Sequence, residues 1–384
     1  MPWLILGCTL PSMIVCWAAS WAVRRWGPRW GLVDRPGARK IHHRPMPTSG
    51  GLAIWLGIVL PFAVGQVVLW AALWAAVPAA AKPDDALPAP AMRASVDSFS
   101  TFVAPHLSGL WHQSGRLWVL LAGGTVLMLL GLADDRHGLD WRLRLSVQTA
   151  VAAALVCLGW RLSLFLDMPW LTGALSVLWI VGLVNSFNML DNMDGLSAGV
   201  AAIAAAMLAV VMLTTPRPDN NQPQLFVAGL LLVIVGSLLG FLWHNRPPAR
   251  LFMGDAGSYL VGYLLAMATL TATFAGGHLP KHSILAPLCV LAVPLYDTAS
   301  VVWIRLRSGR SPFVGDKSHF SHRLVELGMT RPQAVLTIYL TTATCGLGAL
   351  LLHQVDTAGA VVVLLLVACI LLIVAILETV GRRR

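Results

Sequence analysis

The sequence predicts an all-α, polytopic membrane protein with about 11 transmembrane helices, its N-terminus outside and its C-terminus cytoplasmic. Three observations carry that expectation. Hydrophobic residues make up 57% of the 384 and only 11% are charged, whereas soluble domains carry roughly 25% charged residues. Apolar runs recur at about 20 residues, the length of helix that crosses a bilayer core. Lys and Arg gather on alternate loops, and such a bias sets orientation.

In order, the expected spans are 2–23, 51–77, 116–133, 142–160, 169–185, 198–214, 225–243, 258–276, 283–304, 332–352 and 357–378. The first resembles a signal peptide in length. No basic residue precedes its apolar stretch and no clear cleavage site follows, so a retained span is expected. With the N-terminus outside, only Lys82, Arg93, Arg116, Arg161, Arg217 and Lys281 fall on outer segments, leaving 21 of the 27 cations inside. The net charge of +10 therefore reflects topology and not a nucleic-acid partner. Residues 78–115 are rich in Ala, Pro and Ser, and are expected to form a flexible extracytoplasmic insertion in a single membrane domain, 1–384. The six cysteines lie in apolar runs without paired spacing and read as small buried hydrophobes.

Several polar stretches interrupt the apolar pattern, and this topology puts all of them on the cytoplasmic side. Asn185, Asn188, Asp191 and Asp194 recur every third residue, which on one helix face would suit a hard cation or a polyphosphate; a cap with Asx turns is the alternative. Asp134 and Asp135 end the third span. Two like charges desolvated together are unfavourable unless a cation such as Mg²⁺ holds them, and the alternative is a solvated helix end. Asp255 lies between Gly254 and Gly257, where backbone can approach a ligand closely and Ser258 could cap the following helix; an ordinary N-cap aspartate is the alternative. The loop Gly31 to Gly51 carries Lys40 among other cations, suited to a phosphate or lipid headgroup, or only to setting topology. In the last inside loop, His319 and His322 stand one helical turn apart with Lys317 and Arg323 beside them, an arrangement that can grip a diphosphate. Zinc fits less well, since no cysteine is near.

Together these stretches resemble the polyprenyl-phosphate N-acetylhexosamine-1-phosphate transferase family, a cousin of the phospho-MurNAc-pentapeptide translocases. The resemblance runs from about Gly31 to Leu340. It rests on Gly-Leu-Val-Asp at 31–34, the Asp134–Asp135 pair, the Asn-x-x-Asn-x-x-Asp-x-x-Asp-Gly-Leu run from Asn185, Met-Gly-Asp-x-Gly-Ser from Met253, and the histidine loop. It implies transfer of a sugar 1-phosphate, expected to be N-acetylglucosamine 1-phosphate, from a UDP-amino sugar to undecaprenyl phosphate in the bacterial inner membrane, with release of UMP. Mg²⁺ would be the cofactor, with Mn²⁺ as a substitute. The implied catalytic carboxylates are Asp134, Asp135 and Asp194, and the implied metal ligands are Asp255 and Asp191. Substrate binding would fall to Asn185, Asn188, Asp191, Lys40, His319, His322 and Arg323.

This chain departs from the family at three points. Asn192 stands where a glycine is common, and is expected to tolerate a left-handed backbone there. Ser321 replaces a histidine, so Ser321→Ala is expected to be nearly silent. A lysine that follows the Asp pair in relatives appears as Arg144. The absence of the translocases' longer histidine run favours the amino-sugar branch over the muramyl-pentapeptide branch. A secondary transporter of anionic metabolites is the rival from another class, but transporters place charge near the midplane on broken helices. Homodimer formation is left open.

Overall fold

The computed structural model describes residues 1–34, 45–75, 107–162, 165, 167–217, 222–276, 279–313 and 318–381. Lys40 and most of the expected insertion lie outside them. The architecture is helical, apart from a two-stranded ribbon. In chain order the elements are α1 (Pro2–Trp26), β1 (Val33–Asp34), β2 (Met46–Pro47), α2 (Gly50–Ala75), α3 (Leu107–His137), α4 (Trp141–Cys157) and α5 (Pro169–Leu190). They continue with α6 (Leu196–Thr214), α7 (Leu225–Asn245), α8 (Gly254–Thr271), α9 (Ala286–Val290), α10 (Ala292–Arg307), α11 (Phe320–Glu326), α12 (Arg331–Leu351) and α13 (Thr357–Gly381).

Among the described residues, 8 helices are long and apolar enough to cross a membrane, or 9 counting the bent pair that ends in α10. Helix α4, at 17 residues, is short for a span, and α8 carries Asp255, Tyr259 and Tyr263. That polarity is tolerated because α8 does not meet lipid: every residue from Ala256 to Leu270 is buried, against α2, α3 and α5. The chain also packs α7 on α1 and α6, and α6 on α12.

Among the differences from the expected spans, two reshape the fold. Helix α3 begins at Leu107, inside the expected flexible insertion at 78–115. The span expected at 283–304 bends by 68° between Val290 and Ala292, where Pro294 has no N–H to donate to the carbonyl four residues back.

The close approach of α3 to α8 positions the site. A Cβ at Gly131 would lie 2.4 Å from the Ala256 backbone, so only glycine lets the two helices meet there. Strand β2 then holds the start of α8 from the other side. The Phe252 N–H donates to the Pro47 carbonyl at 2.9 Å, and the Gly50 and Gly51 N–H groups donate to the Phe252 and Met253 carbonyls at 3.1 and 2.9 Å.

Candidate active site

Three span ends converge where α8 begins. Asp135, at the C-terminal end of α3, accepts hydrogen bonds from the backbone N–H groups of Asp255 (3.0 Å) and Ala256 (3.3 Å). A carboxylate on one helix thus caps another, and the α8 N-terminus offsets part of the penalty of burying it. Ser258, expected as the cap, instead lies inside the helix and donates to the Asp255 carbonyl at 3.3 Å. Gly254 is required at the junction: its φ is +69°, and a Cβ there would meet Asp135 Oδ2 and the Thr48 carbonyl, each at 2.5 Å. From α5, Asn188 Nδ2 donates to Asp255 Oδ1 (2.6 Å) and Ser258 Oγ (3.1 Å), aiming the carboxylate of Asp255.

Asp134 is fully engaged, and its carboxyl also lies against that of Asp255. It accepts from Arg144 Nη1 at 2.8 Å, Tyr259 Oη at 2.9 Å and the Leu139 N–H at 2.8 Å, and it is 5% exposed. Its geometry is that of an anchor tying α3 to α4 and α8. Tyr259→Phe removes one of the three donors and should lower stability by about 1–2 kcal/mol. The thermal unfolding midpoint in detergent checks this, and an unchanged midpoint would mean that Arg144 and Leu139 suffice.

The triplet-spaced run does not lie on one helix face. Helix α5 stops at Leu190, Asp191 is its C-cap with φ −79° and ψ 58°, and the chain turns through Gly195 (φ +76°) into α6. Asp194 accepts from the Ala249 N–H at 2.9 Å. Burial raises the Asp191 carboxyl to about 8, and the carboxylates of Asp255 and Asp194 push in the same direction. Asn185 is turned from the acids and donates to Gln148 Oε1 (2.7 Å) and the Val181 carbonyl (2.8 Å). Asn192 does not take the left-handed backbone expected of it, since Phe165 is the one non-glycine residue with positive φ among those described. Its side chain bonds instead, Nδ2 to the Met189 carbonyl at 2.9 Å and Oδ1 from Ser321 Oγ at 2.5 Å.

The histidine loop is held by residues the sequence reading passed over. Asp297, buried in α10, accepts from His319 Nδ1 at 3.0 Å and from the Phe320 N–H at 2.6 Å. Against a carboxylate, that contact places the proton on Nδ1 and leaves Nε2 as the unprotonated nitrogen. His322 stands with its ring centroid 6.3 Å from that of His319. Arg323, expected to touch substrate, is 3% exposed and turned into the protein. Its guanidinium pairs with Glu378 of α13 at 2.9 Å and donates to Ser300 Oγ (2.8 Å) and the Ser318 carbonyl (2.9 Å). The general signal was present: an ionisable residue inside an apolar run, as Asp297 and Glu378 both are, marks function or a buried partner.

Among the described residues no three Asp, Glu, His or Cys side chains are spaced to hold a metal ion between them. Mg²⁺ asks for less, being held by one or two carboxylates with the rest of its shell from water and substrate phosphates. Asp255 and Asp191 offer hard oxygen donors of that kind and lie close enough for their charges to repel, so the residues fit such an ion.

The carboxylates of Asp135 and Asp255 thus meet at a helix N-terminus at one end of an apolar helical bundle. Residues 117–273 match the glycosyl transferase family 4. The chain is 31% identical over 393 residues to the decaprenyl-phosphate N-acetylglucosaminephosphotransferase of Mycobacterium tuberculosis strain H37Rv, covering 96% of this chain and 88% of that one. It is 29% identical to a probable undecaprenyl-phosphate N-acetylglucosaminyl 1-phosphate transferase of Bacillus subtilis, covering 86% and 80%. With the undecaprenyl-phosphate alpha-N-acetylglucosaminyl 1-phosphate transferase of Escherichia coli strain K12 it shares 26%, covering 83% and 76%. The chain belongs to the polyprenyl-phosphate N-acetylhexosamine-1-phosphate transferase family.

Proposed function

We propose that the protein transfers N-acetylglucosamine 1-phosphate from UDP-N-acetylglucosamine to undecaprenyl phosphate, releasing UMP and starting a cell-envelope glycan. The observation that carries this reading is the convergence of Asp135, Asn188 and Asp255 from three span ends on the N-terminus of α8, where an anionic group is favoured. The chain is read as crossing the membrane eleven times, with the N-terminus outside and the site on the cytoplasmic face of the inner membrane, where a lipid phosphate and a soluble nucleotide can meet.

In the proposed reaction a phosphate oxygen of the lipid attacks the sugar-bearing phosphorus in line. The bond from that phosphorus to the bridging oxygen breaks, and UMP leaves with the electron pair. Both reactants are anionic, so their encounter depends on neutralising charge. Asp255 and Asp191 would hold Mg²⁺, which supplies that neutralisation when bound. Asn188 orients Asp255, Asp135 fixes the α8 N-terminus, and His319, turned by Asp297, faces the donor diphosphate with His322.

Release of UMP from UDP-N-acetylglucosamine and undecaprenyl phosphate in detergent tests the proposal. Turnover only with a UDP-muramyl pentapeptide would move the chain to the translocase branch, and no release with any UDP-amino sugar would favour transport. A phosphorylated enzyme formed with UDP-sugar alone would replace the one-step route with one through an aspartyl phosphate.

A further inference from the structure

We propose that Asn192 and Ser321 form a side-chain clasp that locks the turn carrying Asp191 and Asp194 to the histidine loop, and so sets the spacing between the carboxylates and His319. The inference rests on the reading of this site as a UDP-sugar transferase. Its physical basis is one contact between residues 129 positions apart. Ser321 is 1% exposed and its Oγ donates to Asn192 Oδ1 at 2.5 Å. The amide is fixed in that sense because its Nδ2 donates to the Met189 carbonyl.

Each side has its own anchors. Asp297 and Glu378 hold the histidine loop from α10 and α13, while the Ala249 N–H holds Asp194 in the turn. These bonds fix each segment to its neighbours, and the Asn192–Ser321 bond runs directly between the two. A donor diphosphate gripped by the carboxylate side and the histidine side together depends on that spacing, since two sets of contacts hold one ligand jointly only at the distance it spans.

The clasp also joins two of the chain's departures from its family. A glycine at 192 would leave the Ser321 hydroxyl buried without its partner, and such a group is unfavourable. A serine at 321 is therefore accommodated by an asparagine at 192. The two positions act as positioning residues, and the expectation that Ser321→Ala is silent is withdrawn.

The test compares Asn192→Ala, Ser321→Ala, the double variant and Ser321→Thr in the full-length protein in detergent. Each single alanine variant should speed amide hydrogen exchange across 319–324 by about five-fold or more. KM for UDP-N-acetylglucosamine should rise by about five-fold or more while kcat changes less than about two-fold. The thermal midpoint should stay within about 2 °C, the double variant should match the worse single, and Ser321→Thr should behave as wild type. Additive losses, or unchanged exchange and KM in Ser321→Ala, would overturn the clasp. So would a large fall in thermal midpoint with KM unchanged, which assigns the bond to stability alone. The exchange measurement needs no turnover, so a wild-type protein inactive on every UDP-amino sugar would sink the functional reading while still scoring the clasp.

Discussion

Asp255→Asn should abolish transfer at any practical Mg²⁺ concentration while the protein stays folded. The substitution is nearly isosteric, and an amide oxygen can still accept from Asn188 Nδ2, which meets Asp255 Oδ1 at 2.6 Å. The backbone N–H that binds Asp135 is untouched. What disappears is a full negative charge at the α8 N-terminus, and a hard divalent cation depends on charge as well as on oxygen. Loss should exceed about 100-fold, on the scale of removing an electrostatic stabiliser from an active site. UMP release measures it, and retention of more than a few per cent would reject Asp255 as an essential ligand. The same exchange at Asp97, outside the described residues, should have little effect.

Asp297→Asn should be nearly as damaging, for a different reason. The buried carboxylate receives a proton-bearing nitrogen from His319 and the Phe320 N–H. An asparagine can keep the second bond through its carbonyl, but its amide would donate to His319 Nδ1 and favour the opposite tautomer. His319 Nε2 would then carry the proton. Activity should fall by about 100-fold or more with a small change in thermal midpoint, since an Asp→Asn change behind a functional histidine acts through the tautomer. If kcat and KM stay within about three-fold of wild type, His319 does not work through Nε2.

The helical framework was legible because hydropathy at the scale of a bilayer is a strong signal: among the described residues eight helices, or nine with the bent pair, are long and apolar enough to cross a membrane, and Asp134, Asp135, Asp191 and Asp255 were recognisable as acids at helix ends. Direction was not legible. Asp134 and Asp135 are adjacent, yet one faces Arg144 and Tyr259 while the other caps α8. Arg323 stands beside His322 in sequence but turns into the protein toward Glu378, because a helix carries neighbouring side chains about 100° apart. The three-residue spacing from Asn185 suggested a continuous face, which the break after Leu190 removes. Pairings across 22 or 129 positions, such as His319 with Asp297 and Ser321 with Asn192, leave no periodic trace in one sequence.

Helix α13 presents Val361, Leu365, Leu372 and Ile376 outward, so it looks like a passive lipid-facing strut at the end of the chain. Glu378, in its last turns, nonetheless reaches both Arg323 and the Tyr296 hydroxyl, the latter at 3.0 Å. Glu378 lies only three positions before Gly381, where the helix ends. Shortened versions of the gene are thus unequal in a way hydropathy would not reveal: a stop codon after Gly381 spares the tie to the histidine loop, and one before Glu378 severs it while leaving an apolar helix long enough to insert.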